Sequence, residues 1–541
     1  MIRKLGIAFI SILTVLAGVG WWVARKAGEE GGLFGPRMAA PAEMPRRAED
    51  LRISRAGSNL IEDFLKFLQP FAGRGAIPGE ALLRFASDEE YRKFLASLDA
   101  YGLELLGASA GSRTLRVRVQ DYRDLFRAAE DGAEAFPNYW VNLPPYVDRE
   151  SPGVQAGAVG FGALALRWLG IEGDSAGLGR GVTIAIVDSG IEAHGAFGDR
   201  SVRVISLVSE DLASPHGHGT AVASLAAGSS GQLSGVAPSA ELISVRVTDG
   251  EGVSDSFTLS EGIRAAADAG AQIINVSLAS QGDSPVVREA VEYAQSLGAV
   301  IVASAGNEGL DSMSYPAAYD NVVSVGAIDA RGEHLLFSNA DNGLDLAAPG
   351  LEVYAAWLND AAIEFSGTSA SAPYVTGAIA AVMSQFPGMT SSQAVALLID
   401  SSNEAGAIGP DPYYGAGILN VGRALNSGET GIYDAAVASH YYLPDPSNSQ
   451  LTWLQVVVEN RGTEPFTGAS LQIESLDGQQ NHVLPTLQPG EVVYRSLLVN
   501  GYRAALDGSV TYGSSISLPE GMDDRSPSDN SRRSDFVPAQ K

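Results

Sequence analysis

Apolar and polar residues follow a regular pattern between residues 81 and 141. Leu115, Val117 and Val119 alternate with arginines, which predicts a half-buried strand. Other apolar residues recur at helical spacing, as after the capping pair Ser87 and Glu90. The elements follow the order β-α-β-β-α-β, which predicts a ferredoxin-like α+β unit. This fold alone does not indicate a function.

The central part of the chain contains apolar runs that are continuous rather than alternating. Such strands are buried on both faces, as in parallel sheets, and a clear helix pattern separates two of them at Ser284–Leu297. We therefore predict an α/β fold with a doubly wound, mostly parallel sheet, whose ligands bind at the carboxyl ends of the strands. The predicted strands are Val182–Val187, Leu242–Val247, Ile273–Leu278, Ala299–Ala303 and Val322–Ala327.

Beyond Gly428 the pattern changes to short alternating strands such as that of Leu454, Val456 and Val458. Turn signals separate these strands, and we predict a small immunoglobulin-like β-sandwich over 432–519. Both a binding module and a passive stabilising module agree with this pattern. The polar residues 520–541 predict a flexible tail.

The first residues have the composition of an export segment. Arg3 and Lys4 precede the apolar run Leu5–Ala24, which ends in a tryptophan pair. A cleaved signal peptide and a membrane anchor both agree with residues 1–27, so a membrane tether through residues 5–24 stays open. Either interpretation places the rest of the chain outside the cytoplasm: secreted, periplasmic or anchored to the membrane. We interpret 28–78, rich in Gly, Pro, Ala and Arg, mainly as a linker.

Charge and composition exclude several classes of function. The 541 residues include 36 Lys and Arg against 63 Asp and Glu, a net charge of −27. Residues 1–150 balance 20 against 20, so residues 151–541 carry the whole excess, 16 against 43. Such a surface repels phosphates, which argues against a nucleic-acid partner. The absence of cysteine excludes disulfides, thiolate metal sites and a cysteine nucleophile.

Four residues are candidates for chemistry, and each also has an ordinary structural interpretation. Asp188 ends a predicted strand, where a metal ligand or a strand cap is common, and His218 begins a helical run, where the helix dipole keeps an imidazole neutral. Ser369 begins an alanine-rich helix and could be a plain N-cap. Asn307 follows a buried strand, where it could donate to an oxyanion or form a turn.

The order Asp, His, Ser is one of the known orders for a nucleophilic triad on an α/β sheet. Together with the surrounding motifs, this order resembles the subtilisin family of serine proteases, the subtilases. The resemblance extends over roughly 155–428. The motifs that carry it are VDSGI around Asp188, GHGTAVAS around His218, SAGNEG around Asn307 and GTSASAPYVTG around Ser369.

The resemblance implies an exported serine endopeptidase that acts on proteins or peptides through an acyl-enzyme. Asp188 would orient His218, which would move the proton of the nucleophile Ser369, and Asn307 would contribute to the oxyanion hole. Two further expectations concern the substrate. Ser277, Leu278 and Ala279 would pair with an extended substrate, and Ala305 and Gly306 would contribute to the pocket wall.

The resemblance also gives the α+β unit a role. Residues 79–146 would be a propeptide that assists folding and inhibits the peptidase domain, 147–428. The enzyme would remove this propeptide by cutting its own chain within Val141–Gly160. A rival hypothesis is a catalytically silent scaffold that works through its β-sandwich. All four chemical positions are filled, which favours the enzyme.

Several positions depart from the family pattern. Ala279-Ser280 replaces a usual Gly-Gly, which narrows the pocket, and Ala370 stands where many relatives have Met, which predicts tolerance of peroxide. The short stretch after His218 lacks the loop that holds calcium in many relatives. We therefore expect no required cofactor and no motif-based metal site, with at most weak Ca²⁺ binding to the acidic surface.

Overall fold

The structure, a computed structural model, describes residues 55–209, 215–476 and 478–538. The predicted export segment at residues 1–27 lies outside the described residues. Among the helices in the described ranges, none combines the length and the apolar character needed to cross a bilayer.

Residues 76–142 form an antiparallel sheet with two helices, in the order β-α-β-β-α-β. Its strands lie in the order β2-β3-β1-β4, and Leu83, Leu115 and Leu125 are among the side chains of its core. The capping box predicted for Ser87 and Glu90 is confirmed. The elements are α1 Arg55–Leu68, β1 Ala76–Arg84, α2 Asp88–Ala96, β2 Glu104–Ser109, β3 Thr114–Arg118, α3 Tyr122–Glu130 and β4 Glu134–Asn142.

The segment 28–78, interpreted mainly as a linker with a possible short helix at Asn59–Leu68, contains that helix and also the start of the first strand. A helix occupies Arg55–Leu68, and strand β1 already begins at Ala76. The reason is aromatic packing: the ring of Phe67 lies 5.2 Å from that of Phe126 and 5.5 Å from that of Phe71. These rings anchor the segment to the α+β unit.

The central domain contains a seven-stranded parallel sheet, as predicted. Its strand order is β12-β11-β10-β9-β5-β7-β6, and helices cover both faces, with α5 and α8 on one and α6 and α7 on the other. The strands of this sheet are β5 Thr183–Asp188, β6 Arg203–Ser206, β7 Glu241–Arg246, β9 Ile273–Val276, β10 Val300–Ser304, β11 Val323–Ile328 and β12 Leu346–Pro349. Three further strands of the domain lie outside it: β8 Val253–Asp255, β13 Val353–Ala356 and β14 Ala362–Phe365. The helices are α4 Ala165–Trp168, α5 His218–Ala227, α6 Ser256–Asp268, α7 Pro285–Ser296, α8 Thr368–Gln385, α9 Ser391–Asp400 and α10 Val421–Leu425.

Strand β8 joins the central domain to the α+β unit. It is not part of the parallel sheet. It pairs antiparallel with β4, where Val141 lies opposite Ser254. The four-stranded antiparallel sheet thereby gains a fifth strand from a distant part of the sequence. Val141 is fully buried in the same apolar cluster as Leu278.

The C-terminal region has two antiparallel sheets, β15-β16-β19 and β18-β17-β20-β21, that share one apolar core. Val456 and Val458 contribute to this core from one sheet, and Leu471 and Ile473 from the other. The elements are β15 Ala435–Asp445, β16 Asn448–Asn460, β17 Ser470–Ser475, β18 Gly478–Val483, β19 Val492–Leu498, α11 Gly501–Asp507, β20 Val510–Ser517 and β21 Ser531–Phe536.

The prediction of a flexible tail over 520–541 is wrong at residues 531–536. Residues Ser531–Phe536 form an edge strand that pairs with β20 from Val510 to Ser515. This strand has no buried residue, so it carries no apolar pattern that sequence analysis could detect. Backbone hydrogen bonds, which are independent of side-chain type, hold it in place together with Phe536, which packs against the core.

Candidate active site

Asp188 and His218 meet at the carboxyl edge of the parallel sheet. Asp188 is the last residue of β5, and His218 is the first residue of α5. The Nδ1 atom of His218 lies 2.9 Å from Oδ1 and 3.0 Å from Oδ2 of Asp188. Both side chains are buried, which strengthens the hydrogen bond. Because Nδ1 is engaged by Asp188, Nε2 is the ring nitrogen that can accept a proton.

The residues around this pair fix its geometry. The backbone N–H of Ser189 donates to Asp188 Oδ1 at 2.7 Å, and the Ser189 hydroxyl accepts from the N–H of Gly219 at 3.0 Å. Gly219 must be glycine because an added Cβ would lie 2.4 Å from the carbonyl oxygen of Gly190 and 3.1 Å from Asp188 Oδ1. Sequence analysis did not single out Ser189, although it belongs to the VDSGI motif.

Ser369 lies at the second position of α8, and the helix packs in the same apolar core as α5. It is almost fully buried, close to the free N–H groups of a helix N-terminus. Its hydroxyl donates to the carbonyl oxygen of Ser277 at 3.5 Å. Within the described ranges no hydrogen bond joins Ser369 to the His218 ring.

Asn307 lies directly against the start of α8. Its Oδ1 accepts from the N–H of Thr368 at 2.9 Å and from the Thr368 hydroxyl at 2.8 Å. Gly367 has a φ of 124°, and an added Cβ there would lie 2.8 Å from Asn307 Nδ2. Because Oδ1 is held by Thr368, the Nδ2 donor is turned outward, where it contacts the carbonyl oxygen of Pro145 at 3.4 Å.

The chain's own residues Asn142–Pro145 cross this part of the site. Asn142 and Ala279 exchange two backbone hydrogen bonds of 3.0 and 2.9 Å, as paired antiparallel strands do. The next residue, Leu143, donates its N–H to the Gly252 carbonyl on the other side at 2.9 Å. The segment therefore lies between two backbone segments as an added strand.

The predicted substrate-binding residues differ in what they contact. Ala279 pairs with the crossing segment, and the carbonyl of Ser277 accepts from Ser369. The side chain of Leu278 is buried in the domain core. The carbonyl oxygens of Ala305 and Gly306 accept from other backbone N–H groups of the domain.

A cavity of about 600 Å³ lies beside the crossing segment. Ala279 and Gln281 line it together with Glu308 and Ser314, which sequence analysis did not select. Glu308 belongs to the SAGNEG motif and could have been found there. Ser314 begins the stretch SYPAAYDNVVSVGAID, which also matches the family pattern and could have pointed to it.

A second imidazole lies near the site. The ring of His216 is centred 6.4 Å from that of His218, and its Nδ1 accepts from the N–H of His218 at 3.3 Å. Partial burial and the neighbouring His218 lower the pKa of His216. Sequence analysis did not select His216 among the candidates for chemistry.

A buried carboxylate–imidazole pair at the carboxyl edge of a parallel sheet, near a serine at a helix N-terminus, is typical of enzymes with a serine nucleophile. Comparisons with known proteins agree. Residues 179–417 match the profile of the subtilase family. Subtilisin BL from Lederbergia lenta is 34% identical over 248 residues, which are 46% of this chain and 91% of that protein.

An alkaline protease from Shouchella clausii is also 34% identical over 248 residues, covering 46% of this chain and 64% of that protein. Among solved structures, fervidolysin from Fervidobacterium pennivorans, a keratinolytic enzyme related to subtilisin, has a TM-score of 0.54 at 20% identity, covering 85% of this chain and 76% of its own. The epidermin leader peptide processing serine protease of Staphylococcus aureus has the same score at 21% identity, covering 65% and 98%.

The chain belongs to the subtilase family. It is a serine endopeptidase that acts on protein or peptide substrates. The similarity to the subtilisins covers the central domain, whereas the α+β unit and the C-terminal region lie outside the matched residues 179–417.

Proposed function

We propose that this endopeptidase cleaves peptide bonds through a triad of Asp188, His218 and Ser369. The observation that carries the proposal is the buried hydrogen bond between Asp188 and His218, at the edge of the sheet where α8 begins and carries Ser369 in its first turn. His218 takes the proton of the Ser369 hydroxyl as that oxygen attacks the scissile carbonyl, and later gives it to the leaving amine. Asp188 orients the ring and stabilises its charged form. Water then releases the acyl group from Ser369.

The Ser369 hydroxyl must turn away from the Ser277 carbonyl to reach His218. Continuing the antiparallel register from Asn142 and Ala279 places Pro144 opposite Ser277. Proline has no N–H, so it cannot donate to the Ser277 carbonyl, which accepts from Ser369 instead. A substrate with an N–H at this position would occupy the carbonyl and release the hydroxyl for His218.

We assign Asn307 and the backbone N–H of Ser369 to the oxyanion hole. The assignment is supported by the orientation of the Asn307 amide, whose oxygen is bound by Thr368 and whose nitrogen faces a carbonyl of the crossing segment. A donor that is already oriented costs no reorganisation when negative charge develops on the substrate oxygen.

We propose that residues 79–146 act as an intramolecular inhibitor and that the chain is made as a zymogen. The buried Asn138 supports this role: its Oδ1 accepts from the Ser256 hydroxyl at 2.9 Å and from the Phe257 N–H at 3.3 Å, both at the start of α6. Arg116 adds an ion pair to Asp255 at 2.8 Å. These contacts hold the unit against the peptidase domain while Asn142–Pro145 fill the substrate cleft.

We place the bond cut in self-processing between Pro145 and Tyr146, inside the predicted interval Val141–Gly160. The Pro145 carbonyl is the one that faces Asn307, as the carbonyl of a scissile bond must. The next side chain, Tyr146, is exposed. N-terminal sequencing of the processed enzyme checks this position, and a mature chain that begins upstream of residue 81 would contradict the zymogen proposal.

We further propose that the protein works outside the cytoplasm and that its C-terminal sheets form an immunoglobulin-like sandwich. The charged and then apolar first residues support export. The shared core of the two sheets supports the sandwich.

Labelling with a fluorophosphonate probe tests the triad. The probe should modify the processed enzyme at Ser369 and fail on Ser369→Ala, which should lose roughly 10⁶-fold in kcat, as is usual for this family. Ser371→Ala is the matched control, because the Ser371 hydroxyl of the same helix bonds only to backbone carbonyls of β12. Labelling that persists in Ser369→Ala would overturn the assignment.

A further inference from the structure

Three carboxylates converge in the C-terminal region, far from the active site in sequence. Asp434 immediately precedes β15, and Asp524 and Asp529 lie in the connection between β20 and β21. One carboxylate oxygen of each lies within 4.8 Å of those of the other two. The region that sequence analysis interpreted as a tail therefore brings two acidic side chains against the start of the first strand.

Asp434 is more than nine-tenths buried, and only one of its oxygens has a hydrogen-bond donor. The Ser526 hydroxyl donates to Oδ2 at 3.0 Å, whereas Oδ1 is buried without a partner. Asp529 repeats this pattern: Arg461 donates to its Oδ2 at 2.7 Å, and its Oδ1 is buried without a partner. Two acceptor oxygens of neighbouring carboxylates are thus desolvated with nothing to offset the cost.

The surrounding charges do not balance. Arg461 is shared between Asp529 and Glu459, and Glu459 also binds Arg423. The connected group thus holds four carboxylates, those of Asp434, Glu459, Asp524 and Asp529, against two arginines, a net charge of −2.

We propose that Asp434, Asp524 and Asp529 bind a divalent cation, and that the cation is Ca²⁺. A dication cancels the excess charge and supplies the partner that the buried oxygens lack. Calcium accepts several carboxylate oxygens in flexible geometry, whereas Mg²⁺ demands a near-ideal octahedron and retains its water. The ion links the connection between β20 and β21 to the start of β15, and this link stabilises the C-terminal region. This site is independent of the triad.

The test uses the full chain with Ser369→Ala, so that self-cleavage does not obscure the melting curve. After removal of metals with a chelator, CaCl₂ is expected to raise a melting transition and to bind with one-to-one stoichiometry in calorimetry, with a Kd on the order of 10⁻⁴ M, as in extracellular modules. MgCl₂ should bind at least tenfold more weakly. NaCl at equal ionic strength should not reproduce the shift.

Variants locate the site. Asp434→Asn and Asp529→Asn should each weaken Ca²⁺ binding roughly 10- to 100-fold, the range for disrupted metal environments. Asp523→Asn is the matched control, since Asp523 is exposed and adjacent to Asp524 but outside the cluster. Should the buried variants fail to fold, terbium luminescence on the protein with all three aspartates intact, excited through tyrosine and displaced by CaCl₂, provides the readout, because Tyr433 adjoins Asp434.

The proposal is overturned if CaCl₂ up to 10 mM, well above the expected Kd, produces neither heat nor a melting shift nor loss of terbium signal. It is also overturned if Asp434→Asn and Asp529→Asn bind Ca²⁺ as tightly as the Asp523→Asn control. Either result would leave the triad proposal untouched.

Discussion

The two halves of the active site are built differently. Asp188 and His218 are joined by hydrogen bonds of 2.9 and 3.0 Å and are enclosed by the domain's own residues. Ser369 and Asn307, by contrast, contact groups along the substrate path: the Ser277 carbonyl and the carbonyl of Pro145. Under the proposed triad, the fold pairs the acid–base half, Asp188 and His218, by itself. The proposed nucleophile half, Ser369 and Asn307, instead bonds to backbone carbonyls where residues 142–145 cross the cleft.

Apart from removal of the nucleophile itself, the largest expected effect concerns the oxyanion donor. In the processed enzyme, Asn307→Ala should lower kcat roughly 10²- to 10³-fold with little change in KM, because the amide acts on charge that develops only in the transition state. Steady-state kinetics on a chromogenic peptide measures this. An equal loss in Thr368→Ser, which keeps the hydroxyl that binds Asn307 Oδ1, would show that the loop rather than the amide matters.

A second test addresses the unit that covers the nucleophile half. Residues 55–145, added in trans to processed enzyme, should inhibit it, and Asn138→Ala should weaken that inhibition roughly 5- to 150-fold, since the Ser256 hydroxyl and the Phe257 N–H lose a buried acceptor. Arg118→Ala is the control, because Arg118 pairs only with the exposed Glu104 of the same unit. Inhibition constants that are equal for the two variants would contradict the proposed interface.

A smaller effect is expected at Pro144. Replacement by alanine restores an N–H opposite the Ser277 carbonyl and should accelerate self-processing about fivefold, the equivalent of one hydrogen bond of about 1 kcal/mol. The rate at which the intact chain disappears after refolding measures this. If Pro144→Ala processes more slowly than the unchanged chain, the missing N–H of Pro144 is not the reason that the Ser369 hydroxyl bonds to the Ser277 carbonyl.

The smallest effect concerns oxidation beside the nucleophile. Ala370 is fully buried next to Ser369 and cannot be oxidised, so the enzyme should retain most of its activity in mild peroxide. Ala370→Met introduces a thioether there and should make activity sensitive to the same treatment. Equal sensitivity of the two proteins would locate the oxidation elsewhere.

Sequence analysis predicted those parts of the molecule whose physics is local. Continuous apolar runs predicted the buried strands, and the parallel sheet that they form is confirmed. Asp188 lies at the end of β5, as expected. The edge strand Ser531–Phe536 could not be found, because backbone pairing holds a segment with no apolar pattern.

Long-range contacts within the site were equally invisible. Asn307 was selected from its motif, but its orientation depends on Thr368, 61 residues away. Ser314 begins a stretch that matches the family pattern, but its place beside the cavity depends on the fold. The carboxylates of Asp434, Asp524 and Asp529 converge only because two sheets fold together.

The most direct test of the account is an experimental structure of the processed enzyme with a phosphonate bound to Ser369. We predict that His218 Nε2 lies within about 3.2 Å of Ser369 Oγ, while Nδ1 keeps its bond to Asp188 and Asn307 Nδ2 donates to a phosphonate oxygen. A structure in which the phosphonate is attached elsewhere, or in which His218 remains beyond hydrogen-bonding distance of Ser369, would contradict the account.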